Sequence, residues 1–257
     1  MSGNLSTAEE NALHFYIGDV SGNDAFFGDS KAYVVLNSLF FPDISTESAR
    51  ANEGKYLNPA VIADIPRLMG FFESLFSAFR KSVIKEDISA YRVERMSDYS
   101  LMRERSSTVS MTSTSTAGFL NEYRDRRGIA LMKFSLSKNT LYCIDIGKVL
   151  PYYAKSEEAE ILIPPFMKLD IEEIPLSENE MQITDCDNAP PLVSCTVKIS
   201  GIEKYNGNIP ELSAYGSKSG QRIYNALNNG KLPDKEDIEQ YSHWKNDLQK
   251  ILHSIIV

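Results

Sequence analysis

Apolar residues recur at helical steps in the first third of the chain and at strand-like steps through its middle. From Pro59 to Val83 the positions Val61, Ile62, Ile65, Leu68, Met69, Phe72, Leu75, Phe76 and Phe79 follow three- and four-residue spacing. That spacing predicts an amphipathic helix, with a restart at Pro66. A shorter helix is expected from Ser30 to Phe41, with Ser30 as its N-cap and Pro42 as its stop. Residues 1–30 are polar and broken by Gly, Asn and Asp, and read as mostly irregular; 43–57 read as a polar connection.

After Val83 the period changes. Ile88 to Val93, Gly128 to Leu136, Thr140 to Ile146, Glu160 to Pro164, Phe166 to Ile174 and Leu192 to Ile199 read as strands. Between the first two of these, Ser106 to Thr116 is Ser or Thr at every position except Val109 and Met111, and by itself resembles low complexity. Residues 201–234 are rich in Gly, Asn and Ser. Lys235 to Val257 predicts a terminal helix with Ile238, Tyr241, Trp244, Leu248, Ile251 and Ile255 on one stripe. Helices first and strands afterwards predict an α+β fold rather than a doubly wound one. No G-x-G-x-x-G follows a strand, so a Rossmann cofactor site is not indicated.

Composition narrows the picture only slightly. The 257 residues suffice for one large domain or two small ones, and 42% hydrophobic with 24% charged residues is ordinary globular usage. A net charge of -8, from 27 basic and 35 acidic residues, argues against nucleic acid as the main partner. Cys143, Cys186 and Cys195 fit no zinc spacing and read as reduced, partly buried thiols. No secretory signal peptide and no apolar run of about 20 residues is visible, so no membrane span is expected.

Three short segments carry the candidate chemistry. Tyr91-Arg92 closes the first strand, Ser113-Thr114-Ser115 ends a second, and Glu158-Ala159-Glu160 runs straight into Ile-Leu-Ile-Pro-Pro. Singly, each has an ordinary reading: a solvated charge, a hydroxyl-rich loop, and two carboxylates on the solvent face of a strand.

In this order and spacing the segments resemble the mono-ADP-ribosyltransferase family. The likeness is to the arginine–serine–glutamate branch, which includes cholera toxin, Rho-modifying exoenzymes and vertebrate ecto-enzymes. The resemblance runs from about Tyr33 to Ile199. It implies N-terminal helices packed on a split, mainly antiparallel β-sandwich, with NAD as co-substrate and no metal. It gives Glu160 the ribose, Ser113 the holding of Glu160, and Arg92 the diphosphate. Glu158 would face the acceptor, which favours arginine; Ser or Thr is the alternative. Tyr91, Val93, Thr114 and Ser115 flank these residues as NAD contacts. Tyr33-Val-Val-Leu-Asn37-Ser-Leu39 is similar to the family's helix beside the NAD phosphates, so Asn37 joins the site. Phe41 stands where the family often has arginine. In the loop after Ser115, Phe119 or Tyr123 would stack on nicotinamide, and one of Arg124, Arg126 and Arg127 would meet a phosphate. Tyr152 or Tyr153 would touch the protein substrate.

On this reading residues 1–30 are a flexible leader, 31–200 a catalytic domain, and 201–257 a helical extension packed on it. The expected setting is a monomeric bacterial effector or toxin, delivered by a specialised system into host cytosol and acting on a host protein; an endogenous cytoplasmic enzyme is the alternative. Two other functions follow from the same sequence: an NAD glycohydrolase, with water as acceptor, and a non-catalytic binding module docking through the Tyr241, Trp244 and Leu248 stripe.

Overall fold

A computed structural model of the chain describes residues 5–18, 32–41, 57–116, 129–150, 159–175, 177–178 and 191–257. They belong to two compact units. One lies within residues 78–203; the other combines 5–77 with 204–257.

The first unit is built on a seven-stranded sheet: β1 (Ile88–Arg95), β2 (Thr112–Ser115), β3 (Ile129–Leu136), β4 (Ile144–Asp145), β5 (Glu160–Ile163), β6 (Met167–Glu172) and β7 (Val193–Ile202). Their order across the sheet is β4-β5-β2-β1-β3-β7-β6. Only β3 and β7 pair in parallel; the other neighbours are antiparallel. The fold is therefore α+β with a mainly antiparallel sheet. The interior strand β3 reads Ile-Ala-Leu-Met without alternation and is buried at all four positions, as a strand covered on both faces must be. Ala90, Met132, Phe134, Leu162, Ile163 and Val197 complete this core.

Two local departures from the sequence reading have physical causes. The strand expected over Thr140 to Ile146 shrinks to Ile144–Asp145. Asn139 and Tyr142 adopt left-handed backbone at φ 72° and 67°, which breaks the extended run before it starts. A short helix, Met96–Arg105, stands between β1 and β2 where none is apparent in sequence. Only Tyr99 and Met102 of it are buried, one turn apart, so its polar composition carries no amphipathic signal.

The Ser/Thr run is structure, not low complexity. Thr108 Oγ1 donates to the Pro164 carbonyl at 2.7 Å and accepts from the Met167 amide at 2.9 Å, 1% exposed. Thr114 Oγ1 donates to the Ile161 carbonyl at 3.0 Å. These hydroxyls tie the run to β5 and to the turn that follows it. Thr108→Val keeps the shape but orphans a buried amide and carbonyl, and should destabilise the protein by about 2–4 kcal/mol in urea unfolding. A loss under about 0.5 kcal/mol would contradict this role.

The second unit is helical: Thr7–Ile17, Ala32–Ser38, Pro59–Ala63, the helix starting at Ile65, Ala214–Asn228 and Lys235–Ile255. The periodic stretch from Pro59 indeed divides, at Asp64. Thr7–Ile17 forms within a segment that reads as irregular. Its N-terminus is a capping box: Glu9 N donates to Ser6 Oγ at 3.4 Å, and Ser6 N donates to Glu9 Oε2 at 2.6 Å. The Ser-x-x-Glu signal was present in sequence. Ala214–Asn228 was also hidden, because Gly216 and Gly220 depress helix propensity; both are there for close packing. The terminal helix forms where expected. Of its expected stripe Tyr241, Trp244 and Leu248 are buried, while Ile238, Ile251 and Ile255 are half-buried and Leu252 is buried beside them; Gly216 lies against Trp244. The surface on which the docking-module reading depended is therefore absent.

Candidate active site

β2 lies between β1 and β5, so three consecutive strands carry Arg92, Ser113 and Glu160. β2 pairs with β5 along its whole length: Thr112↔Ile163, Ser113↔Leu162, Thr114↔Ile161 and Ser115↔Glu160. Partners across a pleat share a face. Ser115 thus stands directly opposite Glu160, and Ser113 stands one diagonal away on the same face. Thr114 is on the other face, where its hydroxyl serves the fold.

On the other side, β1 meets β2 at the registered pair Tyr91↔Ser115. Next to it the guanidinium of Arg92 reaches across: Nη1 donates to the Ser113 carbonyl at 2.6 Å, while Nε donates to Glu94 Oε1. β1 runs on to Arg95, so Tyr91 and Arg92 are mid-strand rather than terminal. Tyr91, Val93 and Glu160 are buried, whereas Arg92 keeps 23% of its side chain exposed. This partial exposure suits a group that must meet a solute.

Ala159, just before Glu160, has φ 43°. Its carbonyl accepts from both the amide and the hydroxyl of Thr116, each at 3.2 Å. A side chain in this left-handed region costs about 1–2 kcal/mol, held here by the flanking pairing. At this residue the chain enters β5 with Glu160 on the Ser115 face. Ala159→Gly should leave stability unchanged or slightly raised, and Ala159→Val should lower it by about 1–2 kcal/mol, both read by thermal unfolding. Equal effects would show that the turn carries no strain.

Asn37 lies in the helical unit, on Ala32–Ser38, with its Nδ2 donating to the Tyr16 hydroxyl at 3.1 Å. Phe119, Tyr123, Arg124, Arg126, Arg127, Tyr152, Tyr153 and Glu158 lie outside the described residues, as does Cys186. Cys143 and Cys195 are buried free thiols. Burial pushes Cys143 up to about 12; burial and then the Glu173 charge push Cys195 up to about 11. Both stay protonated near neutrality and are poor nucleophiles. One residue of the site escaped sequence reading: Glu94, the buried partner of Arg92. Its signal, an acid two positions along the same strand, is too common to single out.

No family model matches the chain, and neither does any curated protein. Its chain path resembles that of bacterial ADP-ribosyltransferase toxins. An ADP-ribosyltransferase of Clostridium botulinum is 14% identical with a TM-score of 0.43, over 76% of this chain and 88% of that one. The C3 exoenzyme of Clostridium limosum is 16% identical at a TM-score of 0.41, over 76% and 86%. A C3 protein of S. aureus, solved with NAD, is 15% identical at a TM-score of 0.39, over 77% and 97%. At these values the likeness is one of general chain path. Among the described residues, no helix is long and apolar enough to cross a membrane.

Proposed function

We propose that the chain is an NAD-dependent protein mono-ADP-ribosyltransferase, with an arginine side chain of a host protein as its favoured acceptor. The observation that carries this reading is the adjacency of β1, β2 and β5, with Arg92 bonded to the Ser113 carbonyl, Tyr91 paired with Ser115, and Ser115 paired with Glu160.

The reaction breaks the bond between nicotinamide and ribose. The electron pair leaves with the nicotinamide, and positive charge develops on the ribose as in glycoside hydrolysis. Glu160 is the anion that stabilises this charge. Ser113 holds its carboxylate from the diagonal position, with Ser115 directly across. Arg92 offers a planar, permanently charged fork to the diphosphate, which a lysine would not. Tyr91 and Val93 flank Arg92 as further NAD contacts, joined by Phe119 or Tyr123 and by one of Arg124, Arg126 and Arg127. Glu158 orients the acceptor and takes up its proton as it attacks the ribose carbon. Tyr152 and Tyr153 meet the target protein. No metal has a role. A bacterial effector or toxin acting in a host cell is the setting proposed.

The test is incubation of the protein with labelled NAD and a host-cell lysate, followed by mass-spectrometric mapping of any modified residue. Label on arginine supports the full reading. Label on serine or threonine keeps the transferase and changes its acceptor. Nicotinamide release at the same rate without any protein acceptor would make it an NAD glycohydrolase instead. No NAD consumption under any condition would defeat the proposal.

A further inference from the structure

We infer that Glu94 is a positioning residue of this site, acting through Arg92 on the Ser113 edge of β2. Its consequence for turnover rests on the transferase reading above; its consequence for the sheet does not.

β1 is registered against β3 at all eight of its residues, from Ile88↔Leu136 to Arg95↔Ile129, and β2 against β5 at all four of its own. Among the described residues the register between β1 and β2 holds one pair, Tyr91↔Ser115. Along these residues the β2–β5 part of the sheet, which carries Ser113 and Glu160, joins β1 at that pair. Beside that pair a side chain continues the connection, with Arg92 Nη1 donating to the Ser113 carbonyl at 2.6 Å.

An arginine side chain has several rotatable bonds, and the backbone alone does not fix where its fork points. Glu94 does so. It lies two residues along, on the same side of β1, and accepts from Arg92 Nε. With Nε held, the guanidinium plane is set and Nη1 is aimed at β2. Glu94 is only 8% exposed against 23% for Arg92. A carboxylate that deeply placed persists because it is paired, and removing it would take away the acceptor that holds Nε. The same anchor presents the exposed part of the fork in one orientation, as recognition of a diphosphate requires.

The test uses the full chain and compares wild type with Glu94→Gln, Glu94→Ala, Arg92→Ala and the double alanine variant. Two quantities are measured: kcat and KM for NAD in nicotinamide release, and hydrogen exchange of the 112–115 amides, with β6 and β7 as the internal control for folding. Glu94→Ala should raise KM for NAD about tenfold, lower kcat less, and speed exchange in 112–115 but not in β6 and β7. Glu94→Gln, which keeps an acceptor oxygen but not the charge, should fall between. The double variant should be no worse than Arg92→Ala. Wild-type KM together with wild-type exchange in Glu94→Ala and Glu94→Gln would overturn the inference, as would losses that multiply in the double variant. If Glu160→Ala turns over NAD like wild type, the transferase reading fails instead. Exchange in 112–115 then decides for the clamp if it is faster in Glu94→Ala and against it if it is unchanged.

Discussion

Glu160→Ala is expected to lower nicotinamide release and ADP-ribose transfer by about 10²–10³-fold or more while leaving the fold intact. The size follows from where charge develops. A fixed anion beside a forming cation, in a site shielded from water, acts without reorganising at the moment of reaction; removing one such group costs about 3–4 kcal/mol. In the structure Glu160 is 8% exposed, it opens β5, and its strand partner is Ser115. The backbone pairing of β5 with β2 and β4 does not depend on the carboxylate, so the variant should keep its melting temperature within a few degrees. Glu160→Gln should be nearly as inactive, because the amide keeps the shape and loses the charge. The measurement is initial rate at saturating NAD, with circular dichroism as the folding control. A loss of under tenfold in both variants would remove Glu160 from the chemistry.

Gly216→Ala should destabilise the protein by about 1–2 kcal/mol, although alanine is the better helix former. A Cβ at Gly216 would sit 2.0 Å from Trp244 Cβ and 2.1 Å from its Cγ. Those atoms lie next to the backbone of the terminal helix and cannot swing aside, so the two helices must part. Overpacking of this kind costs about 1–3 kcal/mol and sometimes more, against a propensity gain of about 1 kcal/mol. Gly220 is under a softer constraint, since the nearest atom to an added carbon, at 2.4 Å, is the terminal Cδ1 of Ile62, which can shift. Gly70 provides the contrast. It is also helical but has nothing within 4 Å, so Gly70→Ala should stabilise by up to about 1 kcal/mol. Denaturant unfolding of the two variants side by side checks both signs. If Gly216→Ala proves as stable as wild type, the tight contact with Trp244 is not what keeps glycine there.

Much of this was legible in the chain. The apolar spacing after Pro59, the continuous run of β3 and the stripe of the terminal helix each mark their element, because burial of one face leaves its period in the sequence. Where burial touches few residues, the signal fades. Met96–Arg105 buries only Tyr99 and Met102, and Ala214–Asn228 trades propensity for proximity at two glycines. The Ser/Thr run looked featureless because its order comes from hydroxyl bonds to distant carbonyls, such as Thr108 to Pro164, which composition cannot reveal.

Residue order alone marks which positions carry charge, hydroxyl and carboxylate, and sets them on strands in the order arginine, serine, glutamate. Those are properties of residue type and local period. The folded chain adds that β2 lies between β1 and β5, that Ser115 is the direct partner of Glu160, and that Arg92 Nε donates to Glu94. Strand order and register are fixed by pairing between residues far apart in sequence, through backbone groups that every residue shares. They are written in no single segment of the chain.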